Sequence, residues 1–158
     1  MMLEGKRIYL DTSVIVNSFF ANEVGTESSK KLMEKIKDGE FIACTSEFTI
    51  LEIASAISRR SGDPDLVDEF VEELKVYPNL RIVPISKLLF DRAYEIATFN
   101  RLRAGDSIQV ACAVLENTEC LVQRDTDFKR AGKLIKILEP EELLSQNSEE
   151  NTLGEENH

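Results

Sequence analysis

The sequence predicts an α/β fold: a parallel sheet of about five strands, covered by helices. Three observations carry that expectation. Short apolar runs bounded by charged or turn residues recur at 7–10, 40–46, 80–86, 120–123 and 133–140. The first four are separated by amphipathic segments long enough to be helices, the crossovers that parallel neighbours require and antiparallel neighbours do not. No internal repeat or interior low-complexity linker divides the chain, and 158 residues at 42% apolar content suffice for one well-buried core.

Each element has a local reason. "RIYL" (7–10) reads as a buried strand, after which Thr12 or Ser13 can cap a helix running to about residue 21. Residues 25–38 repeat Leu32, Met33 and Ile36 at helical spacing and close at Asp38-Gly39. "EFIACTS" is the second strand, and Ser46 caps a helix in which Ile50, Ile53, Ala54 and Ile57 keep the 3.6-residue period until Gly62. Asp63, with Pro64 in the first turn, starts a further amphipathic helix. "LRIVPIS" is the third strand, and Pro84 places it at an edge or marks its end, because proline cannot donate to a ladder. The helix of "KLLFDRAYEIATFNRLRAG" is expected to stop at Gly105, and Asp106 to cap "SIQVACAVLE", apolar nearly all round and so buried. "CLVQ" is the fourth strand, and a short helix after "RDTDF" leads to the fifth in "KLIKILEP".

The net charge of −10 is concentrated at one end. Residues 139–158 hold seven acids and neither Lys nor Arg, so the rest of the chain is at −3. That tail has little to bury and is expected to be disordered. Cys44, Cys112 and Cys120 sit in apolar segments without C-x-x-C spacing, which predicts reduced core thiols and argues against zinc, as does a single histidine, His158. No apolar run is long enough to span a bilayer and the N-terminus lacks a leader pattern, so a cytoplasmic protein with no membrane association is expected.

Several acids stand where a parallel sheet places its ligands, beyond the carboxyl ends of the strands. Asp11 follows the first strand, and Asp125 and Asp127 follow the fourth. Each has an ordinary alternative: Asp11 and Asp106 as helix caps, Asp125 and Asp127 as turn formers. Glu52 lies inside "TILEIASAI", where it either occupies a narrow polar stripe or faces a crevice. A buried, unpaired carboxylate costs several kcal/mol, so the second arrangement requires a cation. Carboxylates gathered without His or Cys form a hard oxygen donor set, suited to Mg²⁺ or Mn²⁺.

"YLDTSVIV", "TILEIASAI", "GDSIQVACAV" and "LVQRDTDF", in that order, resemble the motifs of the PIN domain, especially the VapC-type toxin ribonucleases of prokaryotic toxin–antitoxin pairs. The resemblance spans about residues 7–138. It implies a PIN-like three-layer α/β/α fold, with a nuclease domain over 1–138 and the acidic tail over 139–158. By motif position it implies an acidic quartet of Asp11, Glu52, Asp106 and Asp125, with Asp127 a further metal ligand able to exchange roles with Asp125. Thr12 matches a hydroxyl that helps hold the metal's water. The implied activity is a metal-dependent endoribonuclease in which Asp11, Asp106 and Asp125 bind the divalent ion and Glu52 binds a second ion or acts as base. An antitoxin partner that occludes the cleft and a homodimer formed near the first helices follow from the same resemblance. The acidic tail departs from the family pattern, as does "QRD", where many relatives have a hydroxyl residue followed by Arg or Asn.

Among the basic residues flanking the acidic motifs, Arg124 and Lys129 are expected to border the cleft and meet RNA phosphate. A phosphatase of the D-x-D-x-T type is excluded, because Ser13 stands where its second acid is required. Dinucleotide binding is excluded by the absence of G-x-G-x-x-G after a strand. A housekeeping RNA-processing nuclease and a catalytically silent PIN-like scaffold remain as alternatives.

Overall fold

The computed structural model describes residues 5–20, 24–124 and 126–156, without the side chains of Phe20, Thr126 and Asp127. A parallel sheet of five strands runs through it in the order β3-β2-β1-β4-β5. The strands are β1 (Lys6–Leu10), β2 (Phe41–Ser46), β3 (Leu80–Val83), β4 (Cys120–Val122) and β5 (Lys136–Leu138). The helices are α1 (Thr12–Phe20), α2 (Thr26–Lys37), α3 (Glu47–Ser61), α4 (Pro64–Lys75), α5 (Lys87–Asn100), α6 (Ala104–Leu115) and α7 (Pro140–Glu156), with a 3-10 turn at Thr126–Ala131.

Alternation along the strands divides the core into two layers. Ile8 and Leu10 of β1 face one side, with Ala43 and Val122, and meet Val14, Leu32, Ile36, Ile53 and Leu143 from the helices there. Tyr9, Cys44, Val83 and Leu121 face the other side and meet Leu89 and Ile96 of α5, Val110 and Ala111 of α6, and Phe128 of the 3-10 turn. The result is the three-layer α/β/α architecture, with central β1 buried on both faces. The chain builds β2 and β3 on one side of β1, then crosses to build β4 and β5 on the other. The crevice at that reversal, between the carboxyl ends of β1 and β4, is where open parallel sheets bind ligands.

Local signals predicted several boundaries. Ser46 caps α3 by accepting from the Thr49 amide, Asp63 caps α4 with Pro64 following, and β3 is an edge strand that ends before Pro84. Three elements differ from expectation. First, α5 stops at Asn100, where Arg101 takes the left-handed conformation (φ 54°), and Gly105 lies inside α6. Its role there is close approach, since a Cβ on Gly105 would stand 2.9 Å from the Phe48 ring. Second, α6 begins at Ala104 with Arg103 in the cap position, so Asp106 occupies the first turn, not the cap. Third, most of the tail expected to be disordered forms α7, whose first turn is anchored by buried Pro140 and Leu143, with Leu144 against the core. The remainder of the first helix prediction, residue 21, and His158 lie outside the described residues.

All three cysteines are free and buried. Burial pushes the Cys44 thiol up to about 12 and those of Cys112 and Cys120 up to about 11. A thiol-specific reagent at pH 8 is therefore expected to be silent on the native protein and to count three thiols after denaturation. Rapid labelling of the folded protein would contradict this packing. Among the described residues no helix is long and apolar enough to cross a membrane.

Candidate active site

β1 delivers Asp11 to the crevice. The Asp11 amide donates to Val122 O at 3.0 Å, extending the β1–β4 ladder by one step before α1 begins. Its carboxylate caps α1: Oδ2 accepts from the Ser13 amide at 3.0 Å and the Ser13 hydroxyl at 2.5 Å. Ser13 Oγ in turn accepts from the Arg124 amide at 3.0 Å, so the exit of β4 holds the hydroxyl that holds Asp11.

Asp11 is only 6% exposed. Burial pushes its carboxyl up from 3.8 to about 6; the two Ser13 bonds oppose the rise, and repulsion from Glu52 and Asp106 adds to it. Repulsion felt by Asp11 from Glu52 and Asp106 sets the three within electrostatic reach of one another. Asp106 stands in the first turn of α6, and Glu52 on α3 bonds to Thr12, the neighbour of Asp11. Sequence positions 11, 52 and 106 therefore lie on three different elements.

Glu52 is tied down at one oxygen. Its Oε1 accepts from the Thr12 hydroxyl at 2.7 Å and from Gln109 Nε2 at 3.1 Å, and Gln109 Nε2 also reaches Thr12 Oγ1 at 3.1 Å. Thr12, expected to hold water, thus commits its one proton to Glu52. Gln109 and Ser13 are site residues that the sequence reading missed. A glutamine in the otherwise apolar run "SIQVACAV" was the available signal for the first, because a buried amide demands partners.

Arg124, expected at the cleft to meet phosphate, is engaged elsewhere. Its side chain is 16% exposed and pairs with Glu141 of α7, Nη2 to Oε1 at 2.6 Å and Nη1 to Oε2 at 3.2 Å. Nε donates to Ser29 Oγ at 2.9 Å, and Nη2 also donates to the Gly25 carbonyl. A Cβ at position 25 would sit 2.5 Å from that guanidinium, and Gly25 has φ 88°, so two constraints require glycine there. Arg124 is a clamp joining the end of β4 to α2 and α7. Lys129 is exposed in the 3-10 turn, which Phe128 anchors in the core. Asp125 lies outside the described residues, as does the side chain of Asp127.

Among the described residues, no group of three or more His, Cys, Asp or Glu side chains is arranged to hold a metal ion. The chemistry of the donor set nevertheless suits one. Asp11, Glu52 and Asp106 supply hard oxygen ligands only, and burial of the Asp11 carboxyl, with a smaller contribution from the two other acids, disfavours its charge in the absence of a cation.

The model of the PIN domain family matches residues 8–134. No curated protein matches the sequence. Solved structures share the fold at low identity. VapC20 of Mycobacterium tuberculosis, a toxin that cleaves the sarcin-ricin loop, is 19% identical with a TM-score of 0.66, over 79% of this chain and 95% of that one. VapBC2 of Rickettsia felis, bound to a DNA fragment from its promoter, is 20% identical with a TM-score of 0.65, over 84% and 97%. A toxin–antitoxin complex from Klebsiella pneumoniae is 17% identical with a TM-score of 0.61, again over 84% and 97%. With a family match that spans all four acidic motifs, and a five-stranded parallel sheet in the order β3-β2-β1-β4-β5, the chain belongs to the PIN domain family.

Proposed function

We propose that this protein is a divalent-metal-dependent endoribonuclease and the toxin of a toxin–antitoxin pair. The observation that carries the reading is the Asp11 carboxyl, buried at the carboxyl end of β1 and raised to about 6 beside Glu52 and Asp106. Such a cluster is costly unless a cation compensates it. Asp11 and Asp106 would hold Mg²⁺ or Mn²⁺, with Asp125 and Asp127 contributing from the loop after β4. The ion supplies positive charge that acidifies water and offsets charge on the reacting phosphodiester.

The remaining work falls to the chain. Ser13 fixes Asp11 through two hydrogen bonds to one oxygen, Oδ2, so that Oδ1 would be the cation's ligand. Glu52, held at Oε1 by Thr12 and Gln109, keeps Oε2 to accept the proton of the attacking water or to hold a second cation. Hydrolysis with water as nucleophile leaves a 5′-phosphate and a 3′-hydroxyl, and no ribose 2′-hydroxyl is consumed. Lys129, exposed in the 3-10 turn after β4, would meet backbone phosphate.

The toxin assignment is supported by neighbours that are themselves a toxin and toxin–antitoxin complexes. An antitoxin would cover the crevice by presenting a basic side chain to the acids. A cytoplasmic homodimer fits the same role. Purified protein with Mn²⁺ or Mg²⁺ is expected to cut single-stranded RNA internally, and Asp106→Asn to lose that activity while keeping the wild-type circular dichroism spectrum. Undiminished cleavage by Asp106→Asn would overturn the site. A wild type that binds RNA yet never cuts it would favour the silent scaffold.

A further inference from the structure

Gln109 is 1% exposed on α6 and stands among polar groups from four other elements or their flanks. Its Oε1 accepts from the Tyr9 hydroxyl of β1, and Ser46 at the β2–α3 junction lies 3.5 Å from the same oxygen. Its Nε2 lies 3.0 Å from Thr49 Oγ1 on α3, 3.1 Å from Thr12 Oγ1 on α1 and 3.1 Å from Glu52 Oε1 on α3. These partners settle which way the amide points. Turned over, its carbonyl oxygen would face the Glu52 carboxylate, acceptor against acceptor, in a buried place where unpaired polar groups are costly. Tyr9 keeps the other end fixed, since its hydroxyl donates to Gln109 Oε1.

The bonds to Glu52 all fall on one oxygen among the described residues. Thr12 O–H and Gln109 N–H together fix the carboxylate plane, and no donor among the described residues reaches Oε2. A glutamate on a half-buried helix face otherwise has three side-chain torsions to choose from. Holding it costs entropy that Gln109 meets through contacts remote from the crevice.

We propose that Gln109 is a positioning residue, orienting Glu52 toward the divalent cation through the chain Tyr9–Gln109–Glu52. This rests on the metal-dependent reading above and extends it to a residue three positions past Asp106, on the inward face of α6. Removal of a group that orients a metal ligand typically weakens metal affinity by about 10- to 100-fold.

The test is Mn²⁺ affinity by isothermal titration calorimetry, without RNA, on wild type, Gln109→Met, Glu52→Gln and the double variant. Gln109→Met is expected to weaken Mn²⁺ binding at least about tenfold in the wild-type background and by less than about twofold in Glu52→Gln. A packing role would lower the melting temperature equally in both backgrounds and leave Mn²⁺ affinity alone. Because Gln109→Met strands the Tyr9 phenol, Tyr9→Phe/Gln109→Met serves as the second variant and should show the same loss of affinity. Unchanged affinity in these variants, or an equal loss with and without Glu52, overturns the proposal while wild-type binding leaves the nuclease reading standing. A wild type that binds no Mn²⁺ overturns both.

Discussion

Replacing Asp11 with Asn is expected to abolish RNA cleavage and, in chelator at neutral pH, to make the protein more stable than wild type by up to about 3 kcal/mol. The sign follows from the folded-state carboxyl standing above its unfolded value, at about 6 against 3.8. Between those values the folded protein keeps a proton that the unfolded chain releases. Stability therefore falls as pH rises through the window; the penalty is absent below the unfolded value and complete above the folded one. Asparagine carries no charge and can still accept both Ser13 bonds at Oδ1. Melting curves in chelator should converge for the two proteins near pH 4 and separate by pH 7.5, with the variant higher. A wild-type curve flat across this range would show that the Asp11 carboxyl is not raised by its burial. Saturating Mn²⁺ should lift wild type and leave Asp11→Asn in place, since a ligand stabilises the state that binds it.

Arg124→Ala is expected to destabilise the fold by about 2–3 kcal/mol, the second-largest effect. Truncation leaves Ser29 Oγ, which is fully buried, without its donor, leaves the Gly25 carbonyl with only the Ser29 amide, and removes the bidentate partner of Glu141. Burial pushes the Glu141 carboxyl up, but the hydrogen bonds and charge of Arg124 outweigh it and hold the group below its ordinary value. The pair thus contributes above the usual glutamate range and loses its contribution on acidification. Glu141 is 41% exposed, so Glu141→Gln should cost less than Arg124→Ala. Urea denaturation of both variants measures the difference. Equal and negligible shifts would mean that the clamp is solvent-equilibrated. RNA affinity should fall no further in Arg124→Ala than its lost stability explains, because the guanidinium faces α2 and α7 and not the cleft.

The parts of this fold legible in sequence are those with local causes. Ser46, the Asp63-Pro64 pair and the edge proline Pro84 each act on residues within a turn of themselves. The acidic motifs were readable because parallel-sheet geometry sends every strand end to the same side. What was not legible depends on distant partners. The sequence neighbours of Arg124 point to the cleft, but its partners are Gly25, Ser29 and Glu141. The start of α7 rests on burying Pro140 and Leu143 against the core, which composition alone hides. Gly105 looked like a stop until Phe48 of α3 came to lie against it. Gln109 belongs to the same class: its role is set by Tyr9, Thr12, Thr49 and Glu52, none of them near it in the chain.

The central claim is that Asp11, Glu52 and Asp106 gather so closely that they take up a divalent cation. An anomalous difference map from a crystal of the full chain soaked in MnCl₂ tests it most directly. A single strong peak flanked by the Asp11 and Asp106 carboxylates, at the carboxyl ends of β1 and β4, is the predicted result; a crevice with no peak at saturating Mn²⁺ would contradict it.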